Sequence, residues 1–475
     1  MNEGSNSASS ISAVGERDRS GSLPWPVLVP LLTGLAALTV YLLTMAPDLT
    51  WANFGSDGGE LITASITSGI AHPPGYPTYV LLGKIAALLP VGTMAWRFNF
   101  FSAVSAATAV AFVTAAAQQV LKGGAKHQVA AAAAGLCVAF APLFWGQALI
   151  SEVYSLNSAF LAILLWSLLD GRSPFLSGIL LGLAITSHLS SLIMLPLVLV
   201  LTTYKRLLPL IGGLLIGLLP LLTLPFLAQT GSPVIWGDPS TFRGWLWLVS
   251  GRIYYANLRL PESSAALPKF IQLSKTLFQQ WLWIGWMFVV PGMTSRLLPK
   301  RVTTALTATA LVYFLYGFFY QTEDVAVYLP QVLILFSPLL AAGFSRTGPW
   351  SLILPLFLLL FNYQALNLHQ DQAVRPLAED ILSSAPDQAI LITPGDQSIF
   401  TLWYFHYVEG MRDDITLVDE NLFAFDWYRE QLSELHPHLT GLIEDDLETF
   451  KERNSQERSV CEVEADLAGL ANCYP

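Results

Sequence analysis

Long apolar runs separated by short polar turns make up most of this chain. Leu23–Ala46 is apolar and long enough to cross a bilayer, which takes about 20 residues. Further candidate spans fall at roughly 98–121, 128–149, 153–169, 174–188, 190–204, 207–228, 277–294, 302–320, 328–344 and 349–366, about eleven in all. The turns between them alternate in charge. With Arg17 and Arg19 placed in the cytoplasm, every predicted inner turn carries a cation: Lys122 and Lys126, Arg172, Lys205 and Arg206, Arg296 with Lys300 and Arg301, and Arg346. The outer side receives the loops 47–97 and 229–276 and everything from 367 onward, with nearly all the acids. A miscounted span would break this alternation.

The outer loops have structure of their own. Asp57–Gly69 and Pro77–Leu89 read as short helices lying at the membrane interface, because backbone at that depth must satisfy its own hydrogen bonds. Trp236–Leu260 concentrates Trp245, Trp247, Tyr254 and Tyr255 with Arg243, Arg252 and Arg259. Trp and Tyr favour the headgroup zone, and arginine suits a lipid phosphate.

From about Asn367 the pattern changes to that of a soluble domain. Helical periodicity at Gln370–Ser384, Gln397–Val408 and Asp426–Leu435 alternates with strand-like runs at Ala389–Thr393 and Ile415–Asp419, which predicts a small α/β unit. The residues beyond about Glu444 are polar and read as loosely ordered, as do Met1–Ser22. The expected fold is a mainly α, polytopic membrane protein. It has a disordered cytoplasmic tail (1–22), a transmembrane domain (23–366) and an extracytoplasmic α/β domain (367–475).

Composition sharpens this. The chain is 53% hydrophobic and only 12% charged, about half the charged fraction of soluble domains. Its net charge of −10 argues against nucleic acid as a partner. Three cysteines are too few for a disulfide framework or a zinc site. Cys137 falls in an apolar helix; Cys461 and Cys473 can pair only on an oxidising side.

The chemistry gathers at one face. Asp57 and Glu60 share a face of a short helix. They fit a capping box, or one of them is a general base in a partly desolvated loop. The turn His72-Pro73-Pro74-Gly75-Tyr76-Pro77 holds His72 extended, either against a phosphate or acceptor or as a packed turn residue, with Tyr76 beside it. Arg97 is an interfacial snorkelling arginine or a phosphate ligand. Glu152, Tyr154 and Asn157 can share a face at another outer boundary, and Glu323-Asp324 marks a further outer turn, where solvation is the simpler reading. His188 reads as polar packing near a helix end. The candidate spans hold almost no charge, which counts against an ion-coupled transporter. There is no DxD triplet, HExxH motif or G-x-S-x-G elbow.

Ser56-Asp57-Gly58-Gly59-Glu60-Leu61, His72 to Pro77, Trp96-Arg97-Phe98-Asn99 and Glu152 to Asn157 resemble the successive motifs of a membrane family of bacteria and eukaryotes. That family is grouped with the GT-C glycosyltransferases, and its eukaryotic members include a protein O-mannosyltransferase. The resemblance runs from about Pro47 to Leu435. It takes in Ser187-His188-Leu189, Glu323-Asp324, Gly395-Asp396 and Trp403-Tyr404. It implies a GT-C fold and a first-loop carboxylate, Asp57 or Glu60 with Asp57 preferred, acting beside a polyprenyl-phosphate sugar, with mannose the candidate sugar. It also implies a metal-independent reaction with no cofactor beyond the lipid-linked donor. Arg97, Arg252 or Arg259 would neutralise the departing phosphate, and a protein or glycan would accept the sugar at the outer face of a bacterial plasma membrane. A lipid or polysaccharide transporter and a non-enzymatic membrane assembly subunit are the alternatives.

Overall fold

The computed structural model describes Trp25–Tyr474; the tail expected at 1–22 lies outside the described residues. Five helical segments among them are long and apolar enough to cross a membrane: Trp25–Thr44, Met94–Val120, Tyr204–Leu227, Lys300–Phe319 and Val325–Phe344. Shorter apolar helices at Val153–Leu169, Pro174–Ser187, Leu189–Leu201 and Gly348–Asn362 pack among them. The chain is an integral membrane protein. Its first four α-helices are α1 (Trp25–Thr44), α2 (Gly58–Thr67), α3 (Pro77–Ala86) and α4 (Met94–Val120). α2 and α3 are the two short helices expected in the first outer loop.

Two expected spans are not continuous helices. The run 128–149 breaks after Ala139, and a second short helix starts at Pro142, where proline is tolerated only in a first turn. The run 277–294 is interrupted by left-handed backbone at Leu282 (φ 52°) and Trp283 (φ 61°). The compensation is burial of Trp281, whose indole donates to the Cys137 carbonyl at 3.1 Å. Apolarity alone does not distinguish a straight span from a bent one.

Small residues set a close helix crossing. Gly178 and Gly182 on Pro174–Ser187 face Gly213 and Gly217 on Leu207–Gly217. A Cβ at Gly213 would sit 1.9 Å from the Phe175 carbonyl oxygen. This small-xxx-small spacing lets backbones approach where lipid gives no hydrophobic drive.

The C-terminal unit is a four-stranded sheet in the order β2-β1-β3-β4, with β1 Ile390–Thr393, β2 Thr416–Asp419, β3 Val460–Val463 and β4 Leu470–Tyr474. β1 runs parallel to β2 and β3, and β4 closes antiparallel on β3. The three helices expected here form at Val374–Ser384, Asp396–Trp403 and Asp426–Leu435. The reading of loose order beyond Glu444 is corrected. Helix Leu447–Asn454, β3 and β4 occupy that stretch, a Cys461–Cys473 disulfide ties β3 to β4, and Phe450, Val460 and Cys461 are fully buried. Strands this short among charged residues carry little periodic signal.

This unit is joined to the outer loops rather than hung from them. One hydrophobic core includes Leu61 of α2, Tyr79 of α3, Trp236 of the second loop, and Leu391 and Phe400 of the α/β unit. Polar ties reinforce it. Arg375 pairs with Asp48, Thr50 donates to Asp371, Trp51 Nε1 donates to Thr401 Oγ1 at 3.0 Å, and the Ala95 N–H donates to the Tyr404 hydroxyl at 3.2 Å.

Candidate active site

α2 starts at Gly58 because the chain must pass close to two neighbours. A Cβ on Gly59 would lie 2.2 Å from the Phe400 carbonyl oxygen of helix Asp396–Trp403. Glycine here lets α2 lie against the α/β unit, and the same turn carries Asp57 and Glu60. Neither carboxylate caps the helix. Asp57 occupies the N-cap position with no side-chain cap bond, and Glu60 turns away to His72. The capping-box reading is therefore set aside.

His72 joins the two acids. Its backbone N–H donates to Glu60 Oε1 at 3.0 Å, and its Nδ1 lies 2.5 Å from Glu60 Oε2. On the other ring edge, Nε2 is 3.0 Å from the Tyr76 hydroxyl and 3.7 Å from Asp57 Oδ2. Phe400 stacks on the imidazole with ring centres 6.1 Å apart. Burial alone would push the His72 pKa down, but the charges of Glu60 and Asp57 and the Glu60 hydrogen bond outweigh it and raise it to about 10. Burial raises the pKa of both Asp57 and Glu60, and His72 opposes that rise.

The two carboxylates differ in access. The Glu60 side chain is fully buried, whereas that of Asp57 is 30% exposed and lines a cavity of about 440 Å³. His72, Tyr76, Tyr154, His188 and Asp324 line the same cavity, so the structure brings these expected residues together. The imidazole of His188 packs against Tyr76, Tyr154 and Tyr328. Its Nδ1 accepts the Ser190 N–H at 3.2 Å, which leaves the proton of the neutral ring on Nε2.

Other expected residues lie elsewhere. Arg97 donates to the carbonyls of Val91, Ala87 and Gly92 and so fastens the end of α3 to α4. Arg252 and Arg259 are exposed and absent from the cavity wall, although Arg252 follows the wall residue Gly251. No arginine or lysine lines this cavity among the described residues. Glu152 is buried at the N-cap of Val153–Leu169, where it accepts the Val153 N–H at 3.3 Å. Burial, reinforced by Asp57, pushes its pKa well above the usual carboxylate range. Asn157 donates to the Ala184 carbonyl and to Ser191 Oγ, a structural role. Glu323 is exposed.

The sequence reading left Asp396, Phe400, Tyr316, Tyr320 and Tyr328 off the site. All of them line the cavity. The Pro394-Gly395-Asp396 turn was a visible signal, with Gly395 at φ 127°, but nothing local placed it beside Asp57. Among the described residues no group of three or more His, Cys, Asp or Glu side chains could hold a metal ion.

Residues 57–209 match the N-terminal domain of protein O-mannosyl-transferase TMEM260, and residues 374–437 match TMEM260-associated domain 2. Both matched segments contribute to the cavity wall, together with residues of 250–258 and 316–328 that lie between them. The chain resembles the TMEM260-type O-mannosyl-transferases. It is 26% identical to the mouse protein O-mannosyl-transferase TMEM260 over 89% of this chain and 66% of the mouse protein. The Dictyostelium discoideum counterpart is 23% identical over 83% of this chain and 57% of that protein. The chain thus spans just under two thirds of the length of the first relative and less of the second. ArnT from Cupriavidus metallidurans bound to undecaprenyl phosphate superposes with a TM-score of 0.61 at 12% identity, covering 92% of this chain and 93% of ArnT. Apo ArnT gives 0.59 at 13% identity over 92% of each chain. The fold is of the GT-C type.

Proposed function

We propose that this chain transfers a sugar, with mannose the first candidate, from a polyprenyl-phosphate donor to an acceptor hydroxyl on the extracytoplasmic face. The observation that carries the reading is the inequality between the two acids: Asp57 opens into the cavity, and Glu60 is sealed behind His72. The names of the TMEM260 relatives support a protein as acceptor. The undecaprenyl phosphate bound to the ArnT neighbour supports a lipid-linked donor.

The reaction balances without a further reagent. The acceptor oxygen attacks the anomeric carbon, and the bond from that carbon to the phosphate oxygen breaks. Polyprenyl phosphate leaves with the electron pair, and Asp57 takes the acceptor proton. Attack opposite the leaving group inverts the anomeric centre. His72, charged and pinned by Glu60, opposes the rise that burial gives the Asp57 pKa, and its positive charge faces the negative charge that develops during transfer. The donor phosphate is met from outside the cavity wall by Arg252. The tyrosines and Asp324 and Asp396 hold sugar and acceptor hydroxyls. No metal is needed, so transfer should survive EDTA.

The test is sugar transfer by the purified full chain in detergent, with radiolabelled polyprenyl-phosphate mannose and an envelope-protein extract, in EDTA. Transfer abolished by Asp57→Asn in a protein that still folds supports the reading. Transfer unaffected by Asp57→Asn removes Asp57 as base. Dependence on added divalent metal would overturn the metal-free mechanism.

A further inference from the structure

We propose that the end of the helical bundle opposite the cavity binds a phospholipid with an anionic headgroup. The two ends are distinguished by the helices that join them. Tyr154, Ser190 and Tyr316 line the cavity from one end of Val153–Leu169, Leu189–Leu201 and Lys300–Phe319. Leu169, Leu201 and Arg301, at the other ends of the same three segments, line a groove of about 670 Å³.

The groove combines two chemistries. Its floor is leucine and valine contributed by the ends of membrane helices, and its charged lining is Lys122, Arg296 and Arg301, with no acidic residue. Among the described residues none of these three has a carboxylate within ion-pair distance. The nearby Arg172 is different, since Asp170 neutralises it. Arg301 also borders a second depression of about 440 Å³ with Leu199, Thr202 and Leu207. One arm of its guanidinium donates to the Val200 carbonyl, which orients the group between the two hollows. A free phosphate would leave the apolar floor bare, and an acyl chain alone would leave three cations unmatched. A phosphodiester headgroup with its chains satisfies both, as basic pockets at membrane helix ends do for acidic lipids.

The rival explanation is that these cations only face a charged membrane surface. Native mass spectrometry of the full chain, titrated with phosphatidylglycerol or phosphatidylcholine, separates the two. The joint variant Arg296→Gln with Arg301→Gln should weaken phosphatidylglycerol binding roughly 10- to 30-fold. The pair Lys126→Gln with Arg346→Gln, cations of the same face outside the groove, should bind like the unaltered protein. Arg296→Lys with Arg301→Lys should retain most of the binding. Equal loss in the control pair, equal binding of phosphatidylcholine, or no loss in the glutamine pair would each overturn the site. If the glutamine pair fails to fold, Lys122→Gln carries the same test, with roughly 5-fold weakening expected and no weakening counting against the site.

Discussion

At one end of the bundle Glu60 and His72 hold each other, buried against Phe400 and Trp236, with Asp57 at the cavity edge beside His72. At the other end Lys122, Arg296 and Arg301 stand exposed around an apolar groove. Both clusters are charged, but different physics governs them. The acid–histidine group sits where charges interact strongly and protonation is decided by neighbours. The exposed cations act through solvent, where salt screens them over about 8–10 Å. The first arrangement suits proton transfer, and the second suits holding an anion. The opposite assignment would put a general base where salt screens the groups that set its protonation.

The largest expected effect is at Asp57. Asp57→Asn should lower transfer by roughly 10²–10⁴-fold with little change in thermal stability. Steady-state rates and an unfolding curve measured together check both parts. Glu60→Gln should act differently, since it leaves the His72 imidazolium without its closest partner. Breaking a buried pair from one side costs about 3–5 kcal/mol, so this variant should unfold at clearly lower temperature.

The pH dependence sharpens that contrast. His72 is raised from its ordinary 6.5 to about 10, so the folded protein binds the proton more tightly than the unfolded one. Its contribution to stability is full below pH 6.5 and is lost as pH rises toward 10. Unfolding curves across that window should show this decline, and Glu60→Gln should move the decline toward pH 6.5. A variant whose pH profile matches the unaltered protein would mean that Glu60 does not set the charge of His72.

Smaller effects test how the α/β unit is seated. Gly59→Ala places a methyl against the Phe400 carbonyl and should destabilise by about 1–3 kcal/mol, with easier proteolysis between 367 and 374 as the readout. Smaller still, Arg97→Gln removes three hydrogen bonds to carbonyls and should lower stability by about 1 kcal/mol while leaving the KM for donor unchanged. Arg252→Gln should do the reverse, raising that KM several-fold. A shared phenotype would erase the distinction between the two arginines.

Local pattern was enough to show the helical membrane scaffold, the two short helices of the first outer loop, β1, β2 and the closeness of Asp57 and Glu60. Each follows from periodicity, proline placement or close spacing of chemical groups. What local pattern could not show depends on how the chain turns back on itself. Arg97 reads equally as a snorkelling arginine or a phosphate ligand, because an arginine at a membrane boundary serves either use; the structure turns its guanidinium onto the Ala87, Val91 and Gly92 carbonyls. β3 and β4 lie in a polar, charged stretch that masks their pattern, and β3 pairs with the edge that β1 offers.

The sequence by itself determined that the chain lies in a membrane, with nearly all its acids gathered in one set of loops and the C-terminal unit, since hydropathy and charge act residue by residue. Only the tertiary structure decided which acid reaches the cavity, that Asp396 and Phe400 join it from more than three hundred residues away along the chain, and that His72 is held charged. Burial and electrostatic coupling are properties of a neighbourhood, and folding supplies the neighbours.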